Sequence, residues 1–177
     1  MNKTILNIAL AASAMLASSA AMASDGIITF TGEIQATTCA VLPGVGTGTG
    51  PGINVNMGTQ NASGLSKPGA TGTRRSFSLK LDEADAACSS NTGKVAEFIF
   101  GGDIDLSNGY LNTSVKNLQI RILHDHKPVH LQHETIDAGE YNTGAGFELP
   151  LVAEYYALDK VDTGGMSADL EYTLNFN

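Results

Sequence analysis

The chain has 177 residues, 18 acidic side chains against 10 basic ones, and a formal charge of −8. So sparse a set of cations argues against nucleic acid or an anionic membrane surface as the partner. With two cysteines, no Cys-x-x-Cys and no Gly-x-Ser-x-Gly, the local signatures of thiol and serine nucleophiles are absent as well.

Residues 1–23 read as a secretory signal: Lys3 supplies the positive start, Ile5 to Leu16 the apolar stretch, and Ala21-Met-Ala23 the small-residue cleavage site. The apolar stretch is too short and too rich in Ala and Ser for a permanent membrane span. Next comes Gly26 to Ile34, where Ile28, Phe30 and Ile34 alternate with Gly32 filling the remaining inward position. A period of two is the strand period and puts all four on one face. Cys39 follows, then Gly44 to Gly52, a Gly-rich surface loop without the spacing of a phosphate cradle.

Ile53 to Met57 alternates and predicts a strand, Gly58 to Thr73 a long loop, and Phe77 to Leu81 a strand with Phe77, Leu79 and Leu81 inward. Asp82 to Ser90 is a polar link carrying Cys88. A strand is expected over Lys94 to Phe100, a loop over Asp103 to Ser114 with turn chemistry at Asn108-Gly109, and a strand over Leu118 to Leu123. His124 to Pro128 reads as a turn, with Pro128 expected to end ladder pairing and Val129 to Leu131 to restart a strand. Leu149 to Leu158 is the next strand, and Asp159 to Gly165 a turn. In the last strand Ala168, Leu170, Tyr172, Leu174 and Phe176 share a face. Short strands, frequent turns and no long helical period predict an all-β sandwich. In an exported chain, Cys39 and Cys88 are expected to form one disulfide.

Phe30-Thr-Gly-Glu-Ile34, Cys39-Ala-Val41, Cys88, Leu149-Pro150, Tyr155-Tyr156-Ala157, Gly164 and an aromatic penultimate residue form an ordered set that spans nearly the whole exported chain. This set resembles the pilin subunits assembled by the chaperone–usher pathway. The resemblance implies an incomplete immunoglobulin-like β-sandwich, completed by a donor strand from a neighbouring subunit. On that reading residues 24–36 are a donor-strand extension and residues 37–177 the pilin domain. Ile28, Phe30, Gly32 and Ile34 would fill a neighbour's groove, and Leu170, Tyr172, Leu174 and Phe176 would form the groove edge used by chaperone and usher. The implied partners are identical or related pilin subunits, a periplasmic chaperone and an outer-membrane usher, with no nucleic acid. The implied location is the bacterial cell surface, in the fimbrium. Phe176 departs from the tyrosine usual in that family and forgoes a phenolic hydrogen bond.

Two other classes compete. His124, His126, His130 and His133, with Glu134 alongside, invite a metal-binding or enzymatic reading, although their spacing fits no standard zinc motif. A self-complete sandwich binding carbohydrate as a monomer is the other. The acidic run Asp82, Glu83 and Asp85 lacks the spacing of a calcium loop. The expectation is therefore a structural subunit, with no catalytic residues, no metal and no cofactor.

Overall fold

The computed structural model describes residues 39–44 and 52–177. The signal segment and the strand carrying Ile28, Phe30, Gly32 and Ile34 lie outside the described residues, as does most of the Gly-rich loop. The described residues form an all-β structure of two sheets. Its strands are β1 (Val41–Pro43), β2 (Thr71–Leu81), β3 (Val95–Gly102), β4 (Leu111–Asn112), β5 (Leu118–His124), β6 (Lys127–Pro128), β7 (Ile136–Glu140), β8 (Glu148–Ala157) and β9 (Leu170–Phe176). One sheet runs β1-β2-β8-β5-β4 with β6 on β5, and the other runs β7-β3-β9. All of the pairings are antiparallel.

Period two decides which side chains enter the core. Phe77, Leu79 and Leu81 of β2, Leu118, Ile120 and Ile122 of β5, and Leu149, Leu151, Ala153, Tyr155 and Ala157 of β8 are all buried. Ala96, Phe98 and Phe100 of β3 face them from the other sheet and belong to the same cluster. Mutual burial of the two inner faces is the main stabilising term of such a sandwich.

The outer face of the larger sheet carries an ionic group. Glu154 of β8 has no exposed side-chain surface and sits between Arg74 of β2 and Arg121 of β5. The ladder makes this so, since Arg74 and Arg121 both lie directly opposite Glu154. Burial pushes the Glu154 carboxyl up, but hydrogen bonds and charge from both guanidiniums outweigh it and hold the carboxyl below its ordinary value. The Arg121 guanidinium also lies over the rings of Tyr110 and Tyr156, 5.9 and 5.3 Å from their centroids.

Several local expectations are corrected. Ile53, Val55 and Met57 do turn inward, but only Asn54 holds a bridge, so the segment is extended without being a ladder strand. The loop expected over Gly58 to Thr73 contains a 3-10 turn at Ala62–Leu65, and β2 begins within it. Asp82 to Ser90 includes a one-turn helix, α1 (Ala86–Ser89), capped by Asp85. The turn expected over His124 to Pro128 is shorter, whereas the ladder does end at Pro128, the last residue of β6. Asp125 and His126 both take positive φ, which closes a two-residue hairpin and sets Pro128 opposite Leu123 at the sheet margin. Val129 to Leu131 is not a strand: the Val129 amide donates to Ile122 and the Leu131 amide to Gly109, so no common ladder forms.

Candidate functional site

β9 has one ladder partner among the described residues, β3, in register from Ala96↔Phe176 to Gly102↔Leu170. It therefore forms the margin of the smaller sheet. Its inward row is unevenly buried: Leu174 is 3 % exposed, whereas Leu170, Tyr172 and Phe176 are only partly covered. A chain that alternates this regularly at a sheet margin presents backbone donors and acceptors beside apolar side chains.

Between this margin and the extended segment 53–57 lies a cleft of about 740 Å³. Its floor comes from both sheets: Phe77 and Leu79 of β2, Ile120 and Ile122 of β5, and Phe100 of β3. Leu170 and Tyr172 form one wall, and Ile53, Val55 and Met57 form the other. A second cleft of about 500 Å³ also borders Asn54, Val55, Met57 and Met166, and ends against Leu65, Leu118, Tyr155 and Val161. The two adjoin along segment 53–57 as a trough, apolar at its floor in the first cleft and mixed polar and apolar in the second, beside a strand margin with one partner among the described residues. Burial raises the Tyr172 phenol above its ordinary value, and it raises Tyr155 against the opposing pull of the Arg75 charge.

Local chemistry explains the trough's shape. The connection from β8 to β9 carries Gly164 and Gly165, buries Val161 in the core and packs Met166 and Ala168 against it, and is also held by its backbone. The Val161 amide donates to Leu65, Ser114 donates to Ser167, and the Ser114 hydroxyl donates to Gly165. Gly102, at φ +123, ends β3 where an added Cβ would stand 2.8 Å from the Asp169 carbonyl. Only glycine lets β3 and the start of β9 approach so closely.

The residues singled out in the sequence fall into three places. Cys39 and Cys88 are bonded and buried, joining the start of β1 to α1. Of the β9 row, Leu170 and Tyr172 line the trough. Leu174 lies in the core, and Phe176 packs edge-on to Tyr141 with ring centroids 6.0 Å apart. Ile28, Phe30, Gly32 and Ile34 lie outside the described residues. His124 and His126 flank or occupy the β5–β6 turn, while His130 and His133 stack at 4.5 Å elsewhere. Among the described residues no three His, Cys, Asp or Glu side chains converge as a metal site would require. The trough wall at 53–57 and the floor from β5 were not assigned to a site from sequence. Their inward alternation was visible, but nothing in it says that a segment faces a gap.

No family model matches the sequence. The chain is 28% identical to the "Major fimbrial subunit SMF-1" of Stenotrophomonas maltophilia (strain K279a) over 173 residues, covering 89% of this chain and 96% of that protein. Its fold is similar to the crystal structure of the P pilus rod subunit PapA, with TM-score 0.59, 18% identity, and 70% and 92% of the two chains covered. It is also similar to a chaperone–usher pilus structure that addresses rod uncoiling, with TM-score 0.60, 18% identity, and 87% and 96% covered. A type I fimbria protein and antigen of Burkholderia pseudomallei matches with TM-score 0.55, 20% identity, and 78% and 98% covered.

Proposed function

We propose that this chain is a fimbrial subunit of the chaperone–usher kind, a reading its fold and its 28% identical relative support, and that it polymerises by donor-strand exchange along the margin of β9. Such a subunit is exported to the cell surface and works as a building block rather than as an enzyme. The observation that carries this reading is the trough: an apolar floor shared by both sheets, beside a strand that has one ladder partner among the described residues. An added strand would pair its backbone with β9 and send alternate side chains to the floor.

The segment suited to enter is in the same sequence. Ile28, Phe30 and Ile34 are large, apolar and two or four residues apart, with Gly32 between them. Their burial in a neighbouring copy would contribute about 5–9 kcal/mol before backbone pairing, as an upper estimate. Each copy gives one strand and receives another, so the contact is head-to-tail and the product is an open fibre. Until a neighbour arrives, a periplasmic chaperone covers the trough and β9, and the outer-membrane usher is where the exchange takes place.

The test uses deletion of residues 24–35 beside Gly32→Leu and Thr31→Ser. The deleted chain should fold with its chaperone yet form no heat-stable ladder on gels of sheared surface protein. Gly32→Leu should block ladders where strand and floor come closest, and Thr31→Ser should not. Long ladders from Gly32→Leu, or no chaperone-bound product from the deletion, would place residues 24–35 in the subunit's own sandwich.

A further inference from the structure

We infer that Asp85 is a positioning residue for closure of the Cys39–Cys88 disulfide. A carboxylate offers two acceptor oxygens, and this one uses each on a different cysteine's neighbour. The amide of Ala40, the residue after Cys39, donates to Asp85 Oδ2 at 3.0 Å across 45 residues of chain. The amide of Ala87, the residue before Cys88, donates to Asp85 Oδ1 at 2.9 Å. The Ala40 carbonyl accepts in turn from the Asp82 amide at 2.8 Å. Both backbone polar groups of Ala40 are thus held by the loop that leads into α1. The two cysteine Cα atoms end 4.4 Å apart, with both residues buried.

Disulfide formation needs this proximity at its second step. One cysteine thiolate attacks a disulfide oxidant such as glutathione disulfide, giving a mixed disulfide and releasing one glutathione thiolate. The other cysteine thiolate then attacks the protein sulfur of that mixed disulfide and releases the second glutathione. The oxidant gains two electrons, and the two thiol protons pass to the departing thiolates. The second step is intramolecular, and its rate follows how often the two sulfurs meet. A single carboxylate that ties the flanking residues together raises that frequency before the sandwich has closed around them.

Asparagine separates this role from helix capping. It caps as well as aspartate, but has one acceptor oxygen and cannot hold Ala40 and Ala87 together. The full chain, reduced and denatured, is diluted into buffer containing glutathione disulfide, and aliquots are alkylated to count thiols and mixed disulfides. For Asp85→Asn the mixed disulfide should accumulate and convert about tenfold more slowly than in the unchanged chain. Glu83→Gln, on the same loop, should convert at the unchanged rate, and in concentrated urea all the chains should convert alike. Conversion of Asp85→Asn at the unchanged rate would overturn the assignment, as would equal slowing in urea. Should Asp85→Ala fail to fold, Asp85→Asn still decides the matter, because it keeps the cap.

Discussion

β8 and β9 have the same alternating pattern and different fates. In β8, Leu149, Leu151, Ala153, Tyr155 and Ala157 are each at most 4 % exposed, and the strand is paired on both sides. In β9 the corresponding row is Leu170, Tyr172, Leu174 and Phe176; only Leu174 is fully buried, and one side is paired among the described residues. Residue type does not separate the two strands, since both are rich in Leu and Tyr. Neighbours do: β8 lies between β2 and β5, while among the described residues β9 ends its sheet beside the trough. On the proposed function, this is the difference between a strand covered by its own fold and one left for another molecule to cover.

Substitutions in the two strands should break this comparison in opposite ways. Leu151→Ala removes a side chain enclosed on all sides and should destabilise the subunit by about 4 kcal/mol, read from urea unfolding of the chaperone-free protein. Fibre yield should fall only in proportion to the folded subunit. Glu154→Gln leaves the mostly buried Arg121 guanidinium without its counter-charge and should cost about 3 kcal/mol by the same measurement. Leu170→Ala is the inverse case. Its side chain is half covered in the subunit, so the subunit should lose about 1 kcal/mol, while the heat stability of ladders should drop sharply. Equal effects of Leu151→Ala and Leu170→Ala on the isolated subunit would erase the distinction.

Acid sharpens the comparison further. The Glu154 carboxyl is held below its ordinary value of 4.5 by Arg121 and Arg74. A carboxylate with a depressed folded value contributes stability that is fully present above its unfolded value. That contribution starts to fall below about pH 4.5 and is gone once the pH has passed through the lower folded value. Acid should therefore loosen the β2-β8-β5 face, and the pH profile of subunit unfolding should flatten in Glu154→Gln. The trough has no comparable carboxylate pair among its floor residues, so ladder stability should follow that profile only through the subunit itself.

The main strands were legible in the sequence because period two is visible wherever one face is buried: β2, β5, β8 and β9 all show it. β7 was not, because Ile136 and Ala138 are followed by Gly139 at φ +91, which breaks the pattern after two inward positions. The start of β2 was hidden by Thr and Gly, whose strand here is held by pairing to Tyr156 and Glu154 rather than by apolar side chains. The ionic group around Glu154 was illegible for another reason. Arg74, Arg121 and Glu154 are far apart in the chain, and only the ladder register makes them neighbours. The cysteine pair could be read from export and number alone. The trough could not, because inward alternation at Ile53, Val55 and Met57 predicts a buried face without telling whether a ladder partner is present.

Amide hydrogen exchange on β9 tests the central claim most directly. A chain lacking residues 24–35 is released from its chaperone and compared with and without a peptide spanning residues 24–36. Without peptide, β9 amides that point away from β3 should exchange fast while those bonded to β3 are slow. With peptide, the outward amides of Leu170 to Phe176 should become protected at one peptide per chain. Outward amides already protected without peptide, or a peptide that leaves them unchanged, would contradict the account.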